Sequence, residues 1–527
     1  MLDLIIIGGG AAGLAAACAA ARPGRRVVLL EKQSRVGRKL LATGNGRCNL
    51  TRLGAKPSDY FGARGAAATA LRLCPPEDVL AFFDELGLPA APDEEGRVYP
   101  LSNQAASVLD ALRLSAAERG CEIRTDCAAE EIRTDCAVEE IRAEGNSQAR
   151  SARSDAQSRG QKASGRSAEP YPSFRADAVA ARHADGASIY DERGRDKPCS
   201  SGRNRMPGHC GTNSPHPIDA AQSHRAGGVH GKGASPSALA SSEHERGSAD
   251  AASSFLVRTS DGQTLRARRV LICTGGLAAP KLGACGDGYK LMEMLGHSST
   301  PKFPAIAALK TPPEPVRPLK GQRAECLLTL TSGSRTLRAE RGEALFADGG
   351  VSGIAAMQLA RACQTALRAG EKCALRLNFA PDWEGADARL SERARRLPLR
   401  MMEDFLSGVV PKRIGQTLVK AAGIEPLSRE ARSLSPKELR ALAAALTDWT
   451  LPVTGTQGFE QAQVTAGGVS MDGFDPETMQ SRRVPGLYGA GELMDVDGDC
   501  GGFNLQWAWS SALIAARHIQ RQWEEEQ

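Results

Sequence analysis

The 527 residues are 41% hydrophobic and 24% charged, with a formal net charge of +6, enough apolar side chains for several cores and about three domains of roughly 150 residues. The 14 cysteines form no CxxC pair and no regular framework, which argues against a disulfide scaffold or a metal site and suits reduced thiols packed as small apolar residues. Leu4 to Ala21 is uncharged, but Gly8, Gly9, Gly10 and Gly13 interrupt it and no basic segment precedes it, so it reads as folded structure of a cytoplasmic protein with no membrane partner.

The first predicted unit is strand, glycine turn, helix, strand. Leu2 to Ile7 is followed by Gly8-x-Gly10-x-x-Gly13, then by an alanine-rich helix that opens on Ala11 and Ala12, then by a strand from Arg26 to Leu30. In this context Gly8 allows a tight turn, Gly10 lets the backbone approach a pyrophosphate, and Gly13 permits close packing of helix on strand. The helix N-terminus adds free N–H groups and the positive end of its dipole. Glu31 ends the second strand, where a carboxylate can accept hydrogen bonds from both ribose hydroxyls. A plain nicotinamide domain would continue with a crossover helix. Here "EKQSRVGRKLLATGNGRCNLT" supplies instead a long basic loop carrying Lys32, Arg38, Lys39 and Arg47, with Gly44 and Gly46 flanking Asn45. The basic residues can neutralise a pyrophosphate, and the glycines allow backbone N–H groups to face a flat ring.

Glu122 to Glu139 is a tandem repeat, "EIRTDCAAE" then "EIRTDCAVE". A nine-residue period is odd, so one continuous strand would turn the second copy's inward side chains outward, and one copy is expected to be displaced. Residues 144 to 253 hold only six Leu, Ile, Val or Phe, and fifteen basic against twelve acidic residues, or +3. Such a stretch cannot offset its ordering entropy by burial and is expected to be a disordered insertion. It contains six of the eight histidines, leaving His297 and His518 outside it and making histidine catalysis improbable. Cys199, His209, Cys210 and His216 within it match no zinc-finger spacing, so no metal site is assigned. Beyond it, a hairpin turning at Asp261-Gly262 leads into an apolar strand, Val270 to Cys273. Alternating runs mark 311 to 385 as a strand-rich lobe, and 386 to 455 reads as helices, one capped by Ser435. The segments 1–143, 254–310 and 456–527 are assigned to a single dinucleotide-binding domain.

Five blocks resemble the HI0933-like flavoproteins, a family that includes aminoacetone-oxidase-like and BaiN/RdsA-type FAD-dependent oxidoreductases. They are "GGGAAGLAAA", "EKQSRVGRKLLATGNGRCNLT", "RVYPLSNQAASVLDAL", "CTGGLAAPKLGACGDGYKLMEMLGH" and the stretch from "VTAGGVSMDG" to "GGFNLQWAWSSALIAA". The resemblance implies an α/β, glutathione-reductase-like FAD domain of the Rossmann type, interrupted by a β-barrel-like lobe and a helical lobe. It implies FAD contacts at Gly8, Gly10, Gly13 and Glu31, at Asn45, Gly46, Arg47, Cys48 and Asn49 beside the flavin, and at Thr274, Gly275, Gly276, Gly491 and Glu492. The backbone near Val138 is expected to meet the adenine, with Ala129 competing because of the duplication. Gly502, Phe503, Asn504 and Leu505 open the terminal helix, whose dipole can face flavin N1 and the C2 oxygen. Trp507 and Trp509 read as core. Cys500 stands where the family pattern has threonine, and "LFADGGVSGIAA" departs from its usual form. A redox pair of Cys48 and Cys500 matches no dithiol spacing.

The expected activity is hydride transfer through flavin N5, with NAD(P)H docking transiently to reduce an unsaturated small molecule. "GACGDG", Gly283 to Gly288, follows no apolar run and is not read as a second nucleotide turn. The alternatives are dihydrouridine formation in ribosomal RNA, oxidation of an aminoacetone-like amine by oxygen, and a non-enzymatic flavin-binding interaction protein.

Overall fold

A computed structural model describes residues 1–135 and 254–527, all within one compact unit. The 144–253 insertion, Val138 and the Cys199–His216 group lie outside the described residues.

Strand Leu2–Ile7 pairs in parallel with Val27–Leu30 on one side and with Thr264–Ile272 on the other. Cys121–Arg124 extends the sheet beyond Val27–Leu30, and Leu487–Gly489 lies parallel to the end of Thr264–Ile272. Two antiparallel strands, Phe255–Thr259 and Ala129–Thr134, complete seven. The inner strands are apolar without alternation because both faces are covered: Ile5, Ile6, Val28 and Leu29 are all buried. Helix Ala11–Ala20 packs against Ala105–Glu118 and against the terminal helix Phe503–Glu525. It is apolar all round, eight of its ten residues being buried, and its alanines let three helices meet closely.

Neither described part of the repeat is displaced. Residues of the first copy form the parallel strand Cys121–Arg124, the chain then turns through Asp126 at φ 52°, and the junction with the second copy forms the antiparallel strand Ala129–Thr134. The parity conflict applies only to one continuous strand, and the turn removes it.

The second sheet also has seven strands and its own apolar core. Its long hairpin, Arg323–Ser332 with Arg335–Ala347, sits centrally, flanked by Cys373–Asn378 and Gly350–Ser352. The two edge strands, Trp449–Val453 and Gly455–Thr456, are separated only by Thr454, so the sheet comes round on itself. Helices Ala386–Arg396 and Lys412–Ala421 pack on Pro436–Thr447. The last of these starts at a capping box in which Ser435 accepts from the Glu438 N–H and Glu438 accepts from the Ser435 N–H.

Candidate functional site

The glycine turn lies where the parallel strands end. Gly8 has φ 105°, and a Cβ on it would stand 2.7 Å from the Cys273 carbonyl oxygen. A Cβ on Gly13 would overlap the Gly8 carbonyl oxygen, whereas one on Gly10 would meet nothing within 4 Å. The first two glycines of this contrast serve the fold, and the third leaves open space above the helix start. Gly10 provides no side-chain cap, and the first amide to bond back into the helix is Leu14, to the Gly10 carbonyl at 3.0 Å. The N–H groups of Ala11, Ala12 and Gly13 are thus the orphan donors of the helix, at its positive end.

Glu31 is held beside this turn by two backbone amides, Gly9 to one carboxylate oxygen and Gln33 to the other, both at 2.8 Å. Its remaining lone pairs can accept from a vicinal diol. The Cys127 amide donates to the Glu31 carbonyl at 2.9 Å and the Asp126 amide to that of Gln33 at 3.0 Å. Those bonds bring the end of the first repeat copy alongside, so that a cavity forms between Gly8, Glu31, Lys32, Cys127, Ala128, Ala129, Thr274, Gly283, Asp287 and neighbouring apolar side chains. Ala129, the alternative to Val138, therefore lines the cavity. Gly283 and Asp287 belong to "GACGDG", which is a wall of this first site. Thr274 carries a buried hydroxyl oxygen with no protein partner.

The basic loop departs from expectation. Lys32 pairs with Asp287, Arg38 bonds Gln33, and Lys39 meets Glu492 at 2.6 Å. Arg47 lies over the Tyr99 ring at 4.6 Å and donates to the Gly44 carbonyl. The two lysines are matched by carboxylates, whereas Arg38 and Arg47 bond only neutral groups and keep an uncompensated charge. Gly44, Asn45, Gly46 and Cys48 all have left-handed φ, between 55° and 83°, which folds the loop into a tight knot beside Asn49. Cys48 is buried, and burial pushes its thiol up to about 12. Burial raises Cys500 as well, and both cysteines are free thiols. Neither is an activated thiolate.

The C-terminal segment closes over the same groups. Gly276 is packed so tightly on Thr465 and Glu492 that a Cβ would stand 2.9 Å from a Glu492 carboxylate oxygen, and Thr465 donates its N–H to that oxygen at 3.0 Å. The Thr465 hydroxyl accepts from the amides of Leu277 and Ala278 at 2.8 and 2.9 Å. Thr465 was not singled out in the sequence; its signal is the glycine pair that follows it in "VTAGG". Gly275 turns with φ 74°. Gly491 has φ 73°, and a Cβ there would lie 2.9 Å from that of Ala12. Trp507 donates to the Gly491 carbonyl and Trp509 to that of Leu50, both at 2.9 Å, so these buried rings are core groups with satisfied N–H donors.

Gly502, φ 104°, caps the terminal helix, and a Cβ on it would meet the Thr51 carbonyl carbon at 2.7 Å and the Asn49 side-chain oxygen at 2.9 Å. That Asn49 oxygen is buried without a partner. Phe503 packs its ring edge-on to Tyr60, Leu505 packs on the core, and Asn504 turns its amide back to the N–H and carbonyl of Gly498 at 2.9 and 2.8 Å. Only the backbone of this turn is left to face a ligand. Both histidines among the described residues are structural: His297 bonds Ser481 and packs at a tilt on Phe474, and His518 bonds Tyr488. No helix among the described residues is long and apolar enough to cross a membrane, and no metal-ligand cluster is found among them.

Open space at Gly10, a diol-accepting carboxylate, and orphaned polar atoms on Thr274 and Asn49 form a series that fits an extended dinucleotide. The family described as HI0933-like protein Rossmann domain matches residues 2–156 and 235–518. A 3-dehydro-bile acid delta(4,6)-reductase of Clostridium scindens is 28% identical over 495 residues, 93% of this chain and 92% of its own length. A ribosomal RNA dihydrouridine synthase of Escherichia coli is 34% identical over 262 residues, 49% of this chain and 62% of that protein. The solved 3-ketosteroid delta1-dehydrogenase of Sterolibacterium denitrificans aligns over 99% of both chains at 12% identity and a TM-score of 0.44, too loose a likeness to bear on function.

Proposed function

The chain belongs to the HI0933-like Rossmann family of flavin-dependent oxidoreductases, and on that premise we propose that it uses FAD to reduce a carbon–carbon double bond of an unsaturated small molecule, with NAD(P)H as the transient electron donor. The observation that carries the reading is the open space over Gly10, whose neighbour Gly9 donates to Glu31 and whose helix brings Ala12 against Gly491. A glycine there is unnecessary for packing and necessary for a pyrophosphate.

In this reading the N–H groups of Ala11, Ala12 and Gly13 hold the pyrophosphate, Glu31 accepts from the ribose hydroxyls, and the backbone from Cys127 to Ala129 meets the adenine. Thr274 and Gly275 flank the phosphate path. The Gly44–Asn49 knot and the first turn after Gly502 take the ring end, where the helix dipole favours the negative charge gained on reduction. Bound FAD supplies hydride transfer through flavin N5. The protein's own contribution is orientation and a fixed positive helix end. The donor is assigned a transient encounter because the "GACGDG" segment serves the first cavity rather than a second one.

Reduction of an unsaturated small molecule is preferred because the relative named as a reductase matches nearly end to end. Dihydrouridine formation in ribosomal RNA is the second reading, favoured by higher identity over about half the chain. Anaerobic mixing with NADH or NADPH decides the donor: bleaching of the yellow protein, reversed by a conjugated enone, is the expected result. Bleaching by small amines alone would move the assignment to amine oxidation. Loss of dihydrouridine from ribosomal RNA on gene deletion would move it to RNA.

A further inference from the structure

Two arginines of the second lobe grip the strand that leads into the terminal helix. Arg338, on Arg335–Ala347, meets both carboxylate oxygens of Asp499 at 2.8 and 2.9 Å. Arg361, on helix Ala360–Arg368, meets both of Asp497 at 2.8 and 3.2 Å. Asp497 is 1% exposed and lies opposite Phe61 in the antiparallel pair of Val496–Gly498 with Tyr60–Gly62. Both guanidinium groups also lie over the Phe61 ring, at 5.9 and 4.5 Å. Bidentate pairing and a shared aromatic face fix the arginines in orientation as well as position.

The gripped strand is tied in turn to the helix start. The Asn504 side chain bonds the N–H and carbonyl of Gly498 and the carbonyl of Asp499, and the Tyr60 hydroxyl donates to the Phe503 carbonyl at 3.1 Å. A continuous path of directional contacts therefore runs from Arg338 and Arg361, through Asp499 and Asp497, to the first turn of Phe503–Glu525. Surface ion pairs are worth little, but Asp497 is fully enclosed, and a pair of this kind is retained for geometry more readily than for stability.

We propose that Arg338 and Arg361 are positioning residues that seat the second lobe on the Asp497–Asp499 segment and thereby set how closely the positive end of the terminal helix stands to the flavin ring. This rests on the flavin reading above. A closer helix end stabilises the reduced, negatively charged ring and raises its potential; a slack one lowers it.

Arg338→Gln and the charge-neutral double variant Arg361→Gln with Asp497→Asn are compared with the natural protein in three readouts: FAD per chain, midpoint potential of the bound flavin, and hydrogen exchange of the amides from 498 to 504. The double variant avoids leaving a buried unpaired carboxylate. Expected are full FAD occupancy, a more negative potential and faster exchange confined to that segment, with Arg338→Lys restoring part of the shift. Unchanged potential and unchanged exchange in folded, yellow variants would overturn the proposal. Natural protein that takes up no FAD refutes the flavin reading separately, and the exchange readout then still reports whether the arginines hold the helix start.

Discussion

The backbone at Gly13 is pressed so closely on the Gly8 carbonyl oxygen that no side chain fits between them, while Gly10, three residues earlier, has no atom beyond its immediate chain neighbours within 4 Å of where a side chain would begin. The two glycines therefore separate structure from ligand. Gly13→Ala forces helix and strand apart and is expected to lower stability by about 1–3 kcal/mol or more. Gly10→Ala is expected to change stability by less than about 0.5 kcal/mol and to weaken FAD binding about tenfold or more, roughly 1.4 kcal/mol. Thermal melts with and without FAD check both. A Gly10→Ala protein that keeps its full affinity would place the pyrophosphate elsewhere.

Glu31 accepts two backbone amides at once. Glu31→Gln replaces one acceptor oxygen by an amide donor that faces another N–H, leaving a part-buried group unsatisfied at a cost of about 1–3 kcal/mol. The same change weakens acceptance from the ribose. Both the melting temperature of the apoprotein and the dissociation constant for FAD should suffer; a normal FAD affinity in a destabilised protein would confine Glu31 to holding the turn.

His297 is buried against Phe474, and burial, helped by nearby Arg483, holds its pKa below the ordinary 6.5. The unfolded chain then binds the proton more readily than the folded one. The stability held by the neutral ring is complete above about pH 6.5 and is lost progressively as the pH falls through the lower folded value. His518 is shifted the same way, also by burial first. Denaturant titrations across this range should show a slope that His297→Asn reduces but does not abolish. An unchanged slope would mean that His297 titrates alike in both states.

Cysteine reactivity distinguishes a structural from a redox role for the flavin-loop thiol. Cys285 is exposed, whereas Cys48 is buried and held protonated. Brief alkylation of native protein at neutral pH should label Cys285 and spare Cys48 until the chain is unfolded. Formation of a Cys48–Cys500 disulfide under mild oxidation would restore the dithiol alternative.

Much of the site was legible because its first unit is local. Gly8, Gly10, Gly13 and Glu31 lie within one strand–helix–strand passage, where spacing alone dictates the geometry. What escaped was long-range. Lys39 meets Glu492 across 453 residues of sequence, so its charge reads as available when it is already matched. Thr465 knits Gly276 to Glu492 from another segment, and Asn504 looks like a ligand-facing amide until its hydrogen bonds to Gly498 are seen. The repeat resolves differently from a displaced copy among the described residues: a turn at Asp126 divides them between two strands of one sheet, a long-range pairing that the odd period does not reveal. Ser435 was readable because a capping box is complete within four residues.

The most direct measurement is the absorption spectrum of the purified protein before and after incubation with FAD and removal of the excess. The expected result is a yellow protein with one FAD per chain, and near-complete loss of that colour in Gly10→Ala with Glu31→Gln. A protein that stays colourless after FAD is supplied, while folded and melting cooperatively, would contradict it.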